Sequence, residues 1–257
     1  MDRFSFFGIS HVGLVRQRNE DNWAAHPDHG IFLVADGMGG AARGDLASRI
    51  VADMLPSLLI ESSSNLPEPK IQAMAQIAGE SLLRLNSHLF QQAESQPELR
   101  GMGSTVVLAW ILGLEAVIAH LGDSRAYLLR KGRLHPLTRD HSLVQMLVDF
   151  GEIEPEEARI HPARNQITRC VGMQGEPIPE ISIVELAPGD LVLLCSDGLT
   201  GMIEDAAIER LLLDSLTEHR PLEECGRALV DAANQAGGHD NVTVLLIQVD
   251  AAHADDR

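Results

Sequence analysis

Four aspartates stand where the most apolar stretches of the chain begin or end. IFLVADG closes on Asp36, AVIAHLGDS on Asp123 and LVLLCSDG on Asp197, while GGHDN sets Asp240 before VTVLLIQV. A lone aspartate at such a place is ordinary turn chemistry, because its side chain bonds to the backbone that follows. Four of them at the lips of buried strands are harder to assign to turns alone. If they converge, each raises the pKa of the others unless cations neutralise them. Two divalent ions supply four positive charges for four carboxylates, and all-oxygen ligation suits Mg²⁺ or Mn²⁺ rather than zinc. Gly37, Gly39 and Gly40 surround Met38 directly after Asp36. Without a Cβ they let backbone approach an ion or a substrate, and the Gly37 carbonyl is itself a candidate ligand.

Two further readings attach to the same region. Gly37, Gly39 and Ala42 fit the dinucleotide-binding fingerprint. That fingerprint needs a second parallel strand with an acidic residue in the same βαβ unit. Here a helical stretch runs instead into a Ser/Pro-rich loop and a second helix, which counts against it. Upstream, GLVRQRNED places Arg16 and Arg18 before Asn19, Glu20 and Asp21. This is either an exposed charged turn or an arginine fork for phosphate beside acids that hold water on a metal.

The elements that must position these residues follow from periodicity. Residues 31–35, 105–112, 115–121, 125–130, 190–195 and 242–249 read as strands, with a hairpin turn at Lys131-Gly132. Residues 44–60, 70–94, 204–214 and 221–236 read as helices, and 61–69 as a surface loop. Strands come in hairpin runs and helices in pairs, which favours an α+β layered fold over a parallel α/β sheet. The segment 138–170 mixes a short amphipathic helix, acids and prolines, and reads equally as a flap over a site or as an inert insertion.

Composition sets the bounds. The chain has 257 residues, 45% of them hydrophobic, enough for one large core. Its formal net charge of −17 argues against nucleic acid or an anionic membrane as partner. Cys170, Cys195 and Cys225 form no CxxC pair, which fits a reducing compartment and neither a zinc finger nor a disulfide scaffold. The apolar start is too short for a signal peptide, and Glu115 and His120 interrupt the longest apolar region. A cytoplasmic protein is expected.

Taken together, the motifs resemble those of the metal-dependent protein Ser/Thr phosphatases of the PPM family, also called PP2C, in their bacterial form. They are GLVRQRNED, VADGMGG, GMGST, GDSRAY, LTRDHSLVQ, HPARNQITRCVG, LLCSDGL and GGHDNVT, in that order from residue 13 to residue 243. The resemblance implies a central antiparallel β-sandwich flanked on both faces by pairs of antiparallel helices. It implies one phosphatase domain over 1–250, a flap near 141–165, and a short tail at 251–257. Asp36 is then the bridging ligand of two core ions, Mn²⁺ or Mg²⁺, with the Gly37 carbonyl on one of them. Asp197 and Asp240 serve the other core ion, and Asp123 a third ion shared with Asp197. Asp21, with Glu20 nearby, holds water on the metals; Arg16 binds phosphate, Arg18 stays on the surface, and Asn241 supports Asp240.

The implied reaction is hydrolysis of phosphoserine and phosphothreonine in proteins by metal-activated water. It opposes a bacterial Ser/Thr kinase, in a chain expected to be a monomer. A phosphatase of other phosphomonoesters and a catalytically silent phosphoprotein-binding adaptor are the alternatives. The sequence departs from the family at Ala41 and Asp45, where bacterial members often carry His and Glu. Met38 stands where some eukaryotic members carry a histidine that serves as candidate general acid, which leaves the proton donor unassigned.

Overall fold

A computed structural model of the chain describes residues 4–39, 43–64 and 70–250. One sheet has five strands in the order β1 (Phe4–His11), β11 (Val242–Val249), β10 (Leu191–Cys195), β7 (Arg125–Arg130) and β8 (Arg133–Pro136). The second runs β2 (Asp21–His26), β3 (Ile31–Met38), β5 (Val106–Leu112), β6 (Glu115–Leu121) and β9 (Glu180–Glu185). A short β4 (Gly103–Ser104) pairs with the end of β3. Helices α1 (Gly44–Ser63) and α2 (Ile71–Ser95) cover the second sheet, and α6 (Asp205–Thr217) and α7 (Leu222–Gln235) cover the first. Between β8 and β9 lie α3 (Leu143–Asp149) and α4 (Pro155–Ala158); α5 (Asp197–Thr200) follows β10 directly. This is the expected α-β-β-α sandwich.

Three apolar layers account for the unbroken apolar strands. On β3, Ile31, Leu33 and Ala35 pack toward α1 and α2, while Phe32 and Val34 pack between the sheets. On β10, Leu191, Leu193 and Cys195 face α6 and α7, while Val192 and Leu194 enter the same inter-sheet layer. Successive side chains alternate faces. A strand covered on both faces has no polar side to show, so its sequence loses the period of two.

Every strand pair is antiparallel among the described residues, so no βαβ unit exists and the dinucleotide reading falls. Lys131 and Gly132 both adopt positive φ (50° and 76°), the mirror-type turn that joins twisted hairpin strands. Helix α1 runs on to Ser63, so the expected loop starts later, and 65–69 lie outside the described residues, as does the tail at 251–257. Strands β1, β2 and β9 were not expected from pattern. They are the partly exposed outer strands, and β9 shows Ile183 to solvent. An edge strand mixes polar and apolar residues without a clean alternation.

Candidate metal centre

The strand ends bring the acids to one end of the sandwich. Asp21, the first residue of β2, is paired in register with Asp36 on β3. Thr105, just before β5, donates its N–H to the Asp36 carbonyl (2.8 Å) and accepts the Asp36 N–H at Oγ1 (3.0 Å). Ser124 holds that Thr105 hydroxyl at 2.6 Å, so the residue after Asp123 braces the residue that frames Asp36. Asp197 opens α5 at the end of β10, and Asp240 precedes β11.

The electrostatics of this group are adverse. Burial, then Asp21, Asp197, Asp123 and Asp240, hold the Asp36 carboxyl well above the ordinary aspartate range. Burial, then Asp197 and Asp140, do the same to Asp123. Burial pushes Asp21 up to about 7 even though hydroxyls of Thr243 and Ser196 bond to it. Burial and Asp240 push Asp197 up to about 6. Asp21 Oδ1, Asp123 Oδ1 and Asp197 Oδ1 are buried with no hydrogen-bond partner among the described residues. A buried acceptor left unpaired is costly. Unpaired oxygens from acids that repel one another fit hard divalent cations, the donor set of Mg²⁺ and Mn²⁺.

The remaining predicted residues are placed as follows. Arg16 Nη2 donates to Asp240 Oδ2 at 2.7 Å, at the rim. The Glu20 carbonyl accepts the Gly37 N–H (3.1 Å), and its side chain lies against the start of α1. A Cβ on Gly37 would sit 2.0 Å from the Gly44 carbonyl oxygen, so the glycine lets β3 cross the first turn of α1, backbone on backbone. Asn241 corrects its expected role in part. Its N–H reaches Asp240 Oδ1 (2.9 Å), but its side chain binds the Val12 and Arg18 carbonyls (both 2.9 Å) and the Glu20 N–H (2.8 Å). It braces the loop that carries Arg16. Ala41 lies outside the described residues.

A cleft of about 730 Å³ opens beside the acids, lined by Asp123, Asp197 and Asp240 on one side and by Val144, Arg159 and Arg164 of segment 141–165 on the other. The root of that segment is pinned by a bridge between Ser142 and Ile167. Sequence reasoning missed the polar frame of the cleft. Arg125 grips Asp140 with two bonds (2.7 and 2.8 Å) and reaches the Tyr127 hydroxyl (3.0 Å), which donates to Asp205 (3.1 Å). The available signal was a hydroxyl or charged residue inside otherwise apolar strand ends, as in GST, GDSR, CSD and NVT.

His120, His141 and Glu180 form a second group, their ligand atoms within 4.8 Å of one another. The two rings stack at 4.5 Å and 14°. Their lone pairs lie in two separated, nearly parallel ring planes, and one ion cannot lie in both planes. His120 Nε2 donates to the Arg139 carbonyl (2.8 Å), and His141 Nδ1 accepts the Gly122 N–H (3.2 Å). Burial, with His120 and Arg169 adding to it, drives His141 down to about 3, and its ring braces the Gly122 backbone next to Asp123.

Comparison with known proteins identifies the family. The family model described as Protein phosphatase 2C matches residues 8–246. The chain is 38% identical over 239 residues to the serine/threonine phosphatase stp of Listeria innocua, covering 92% of each. It superposes on the serine/threonine phosphatase Stp1 of Staphylococcus aureus with a TM-score of 0.86 at 34% identity, covering 98% of this chain and 96% of that one. A PstP catalytic domain in complex with two manganese ions matches with a TM-score of 0.79 at 34% identity, over 96% and 99% of the two chains. The chain belongs to the protein phosphatase 2C family.

Proposed function

We propose that this protein is a metal-dependent protein Ser/Thr phosphatase that hydrolyses phosphoserine and phosphothreonine. The observation that carries the reading is the set of buried, unpartnered carboxylate oxygens on Asp21, Asp123 and Asp197, next to Asp36. Asp36, the Gly37 carbonyl, Asp197 and Asp240 would hold two core ions, and Asp123 with Asp197 a third. When bound, Mn²⁺ or Mg²⁺ supplies positive charge at the phosphoryl oxygens and activates water near neutral pH.

The chain's own residues do the rest. Asp21, anchored through one oxygen, would orient water with the other, which is buried and unpartnered, with Glu20 nearby in the chain. Arg16 is paired with Asp240 at the rim of the cleft. With a cation on Asp240, the Arg16 guanidinium would take two phosphate oxygens and hold them as charge develops. The open cleft admits a protein loop, and segment 141–165 forms its outer wall as a flap. We assign residues 1–250 to one phosphatase domain. We place its substrates among proteins phosphorylated by a bacterial Ser/Thr kinase, and read the chain as a cytoplasmic monomer. Three free cysteines support a reducing compartment. No described helix is long and apolar enough to cross a membrane.

The test is hydrolysis of p-nitrophenyl phosphate and of a phosphothreonine peptide with Mn²⁺, with Mg²⁺ and with EDTA. Turnover with metal and none with EDTA is the expected result. Phosphopeptide binding without turnover under any metal would replace the enzyme by an adaptor.

A further inference from the structure

Asp21 is held by a closed ring of hydrogen bonds whose directions are all fixed. Thr243 Oγ1 and Ser196 Oγ lie 2.6 and 2.7 Å from Asp21 Oδ2. A carboxylate accepts, so both hydroxyls spend their single proton on it. Thr243 Oγ1 must then accept from the Ser10 hydroxyl, 2.7 Å away, and Ser10 Oγ accepts from Asn19 Nδ2 at 2.7 Å. The Asn19 side chain closes the ring, because its Oδ1 accepts the Asp21 N–H at 3.2 Å. Ser196 is fixed in turn, its Oγ accepting the Thr243 N–H at 3.0 Å.

The ring ties the two sheets together at the cleft. Ser10 on β1 and Thr243 on β11 face each other in register in one sheet, and Asp21 opens β2 in the other. Thr243 and Ser196 are fully buried, so no solvent replaces a lost bond. One carboxylate oxygen, Oδ2, is thereby saturated by protein, and the other, Oδ1, is buried and unpartnered.

We infer that Thr243, backed by Ser10 and Asn19, is the positioning residue that fixes Asp21 with Oδ1 alone presented to the metal centre. This rests on the metal-centre reading above. The ring offers Oδ2 only donors, so it holds Asp21 in one rotamer with Oδ2 as acceptor. Removing one donor frees the carboxylate to turn Oδ1 away from the cations.

The experiment is Mn²⁺ titration by calorimetry on the metal-stripped protein, with peptide turnover measured alongside. Thr243→Val keeps the shape and deletes the hydroxyl, and Thr243→Ser restores it. Thr243→Val is expected to weaken Mn²⁺ binding on the order of tenfold, the low end of the effect of losing an outer partner of a metal ligand because Asp21 reaches the ions through water, and Thr243→Ser to recover it. Unchanged Mn²⁺ affinity in folded Thr243→Val overturns the inference, as does a Thr243→Ser as damaged as the valine variant. If Thr243→Val does not fold, Ser10→Ala decides, since it touches neither the carboxylate nor the cleft. It should weaken Mn²⁺ binding on the order of threefold through the shared ring, and no change there also overturns the inference. Asp36→Asn runs in parallel. If it binds Mn²⁺ as the wild type does, the metal-centre reading has failed; if it loses binding while Thr243→Val keeps it, only the ring has failed.

Discussion

Strand β10 has an aspartate at each end, and the protein treats them in opposite ways. Asp190 precedes it and is 3% exposed. It accepts from Arg130 Nε (3.0 Å) and from the Ala187 N–H (2.7 Å), so its charge is answered inside the chain. Asp197 follows the strand. Its acidic neighbours are Asp36, Asp240 and Asp140, the rim Arg16 is the cation that acts on it, and Oδ1 has no partner. Both are acids at the lip of the same apolar strand, yet one is a closed structural unit and the other is incomplete. Burial of a carboxylate is therefore no sign of function by itself. Burial without an answering cation is.

The largest break of that comparison is Asp197→Asn. Mn²⁺-dependent turnover should fall by about 10³-fold, or about 4 kcal/mol, since on the proposed reading Asp197 holds the cation that supplies transition-state charge stabilisation. The same substitution should stabilise the metal-free protein, because it removes one charge from an unanswered cluster; a melt in EDTA checks this. Asp190→Asn should do the reverse. It leaves Arg130 without its partner and should destabilise the fold by about 2–3 kcal/mol, roughly 4–12 °C in a chain of this size, with Mn²⁺ affinity unchanged.

The pH dependence sharpens it further. Asp21 and Asp197 sit at about 7 and about 6 against an ordinary 3.8. Their folded values lie above the unfolded ones, so in this window the folded state holds more protons and loses stability as pH rises. Without metal, stability should fall from about pH 4 to about pH 7, at about 1.4 kcal/mol per pH unit for each carboxyl protonated only in the folded state, and the melting temperature with it. Saturating Mn²⁺ should abolish the slope, and a slope that persists with metal bound would show that the cations do not neutralise these acids.

The layered fold was legible because its inner strands are apolar on both faces, as in IFLVA and LVLLC, and because Gly-bearing turns separate them. The acids were legible because each interrupts such a run. The edge strands were not, since FSFFGISH and EISIVE are half-exposed and carry no single period. The second layer of the site was hidden for a different reason. Ser10, Thr243 and Asn19 are ordinary strand and loop residues in sequence, and their meaning comes from a ring closed across 233 positions. Asn241 was read with the residue next to it, whereas its side chain serves a loop more than two hundred positions upstream.

The smallest effect expected tests the two arginine pairs against each other. Arg16–Asp240 and Arg130–Asp190 are both arginine–aspartate contacts, but the Arg16 and Asp240 side chains are 52% and 34% exposed, while Asp190 is buried. A solvent-facing pair contributes at most about 1 kcal/mol, so Arg16→Ala should barely move the melting temperature in EDTA. Its effect should appear only with substrate. Loss of a two-pronged donor to phosphate should raise KM for a phosphothreonine peptide on the order of tenfold, with a smaller change in kcat. Arg16→Lys should fall between, because it restores the charge without the planar fork. A marked loss of stability in Arg16→Ala would make this pair structural like that of Arg130. An unchanged KM would remove Arg16 from the phosphate and leave its contact with Asp240 as a surface ion pair.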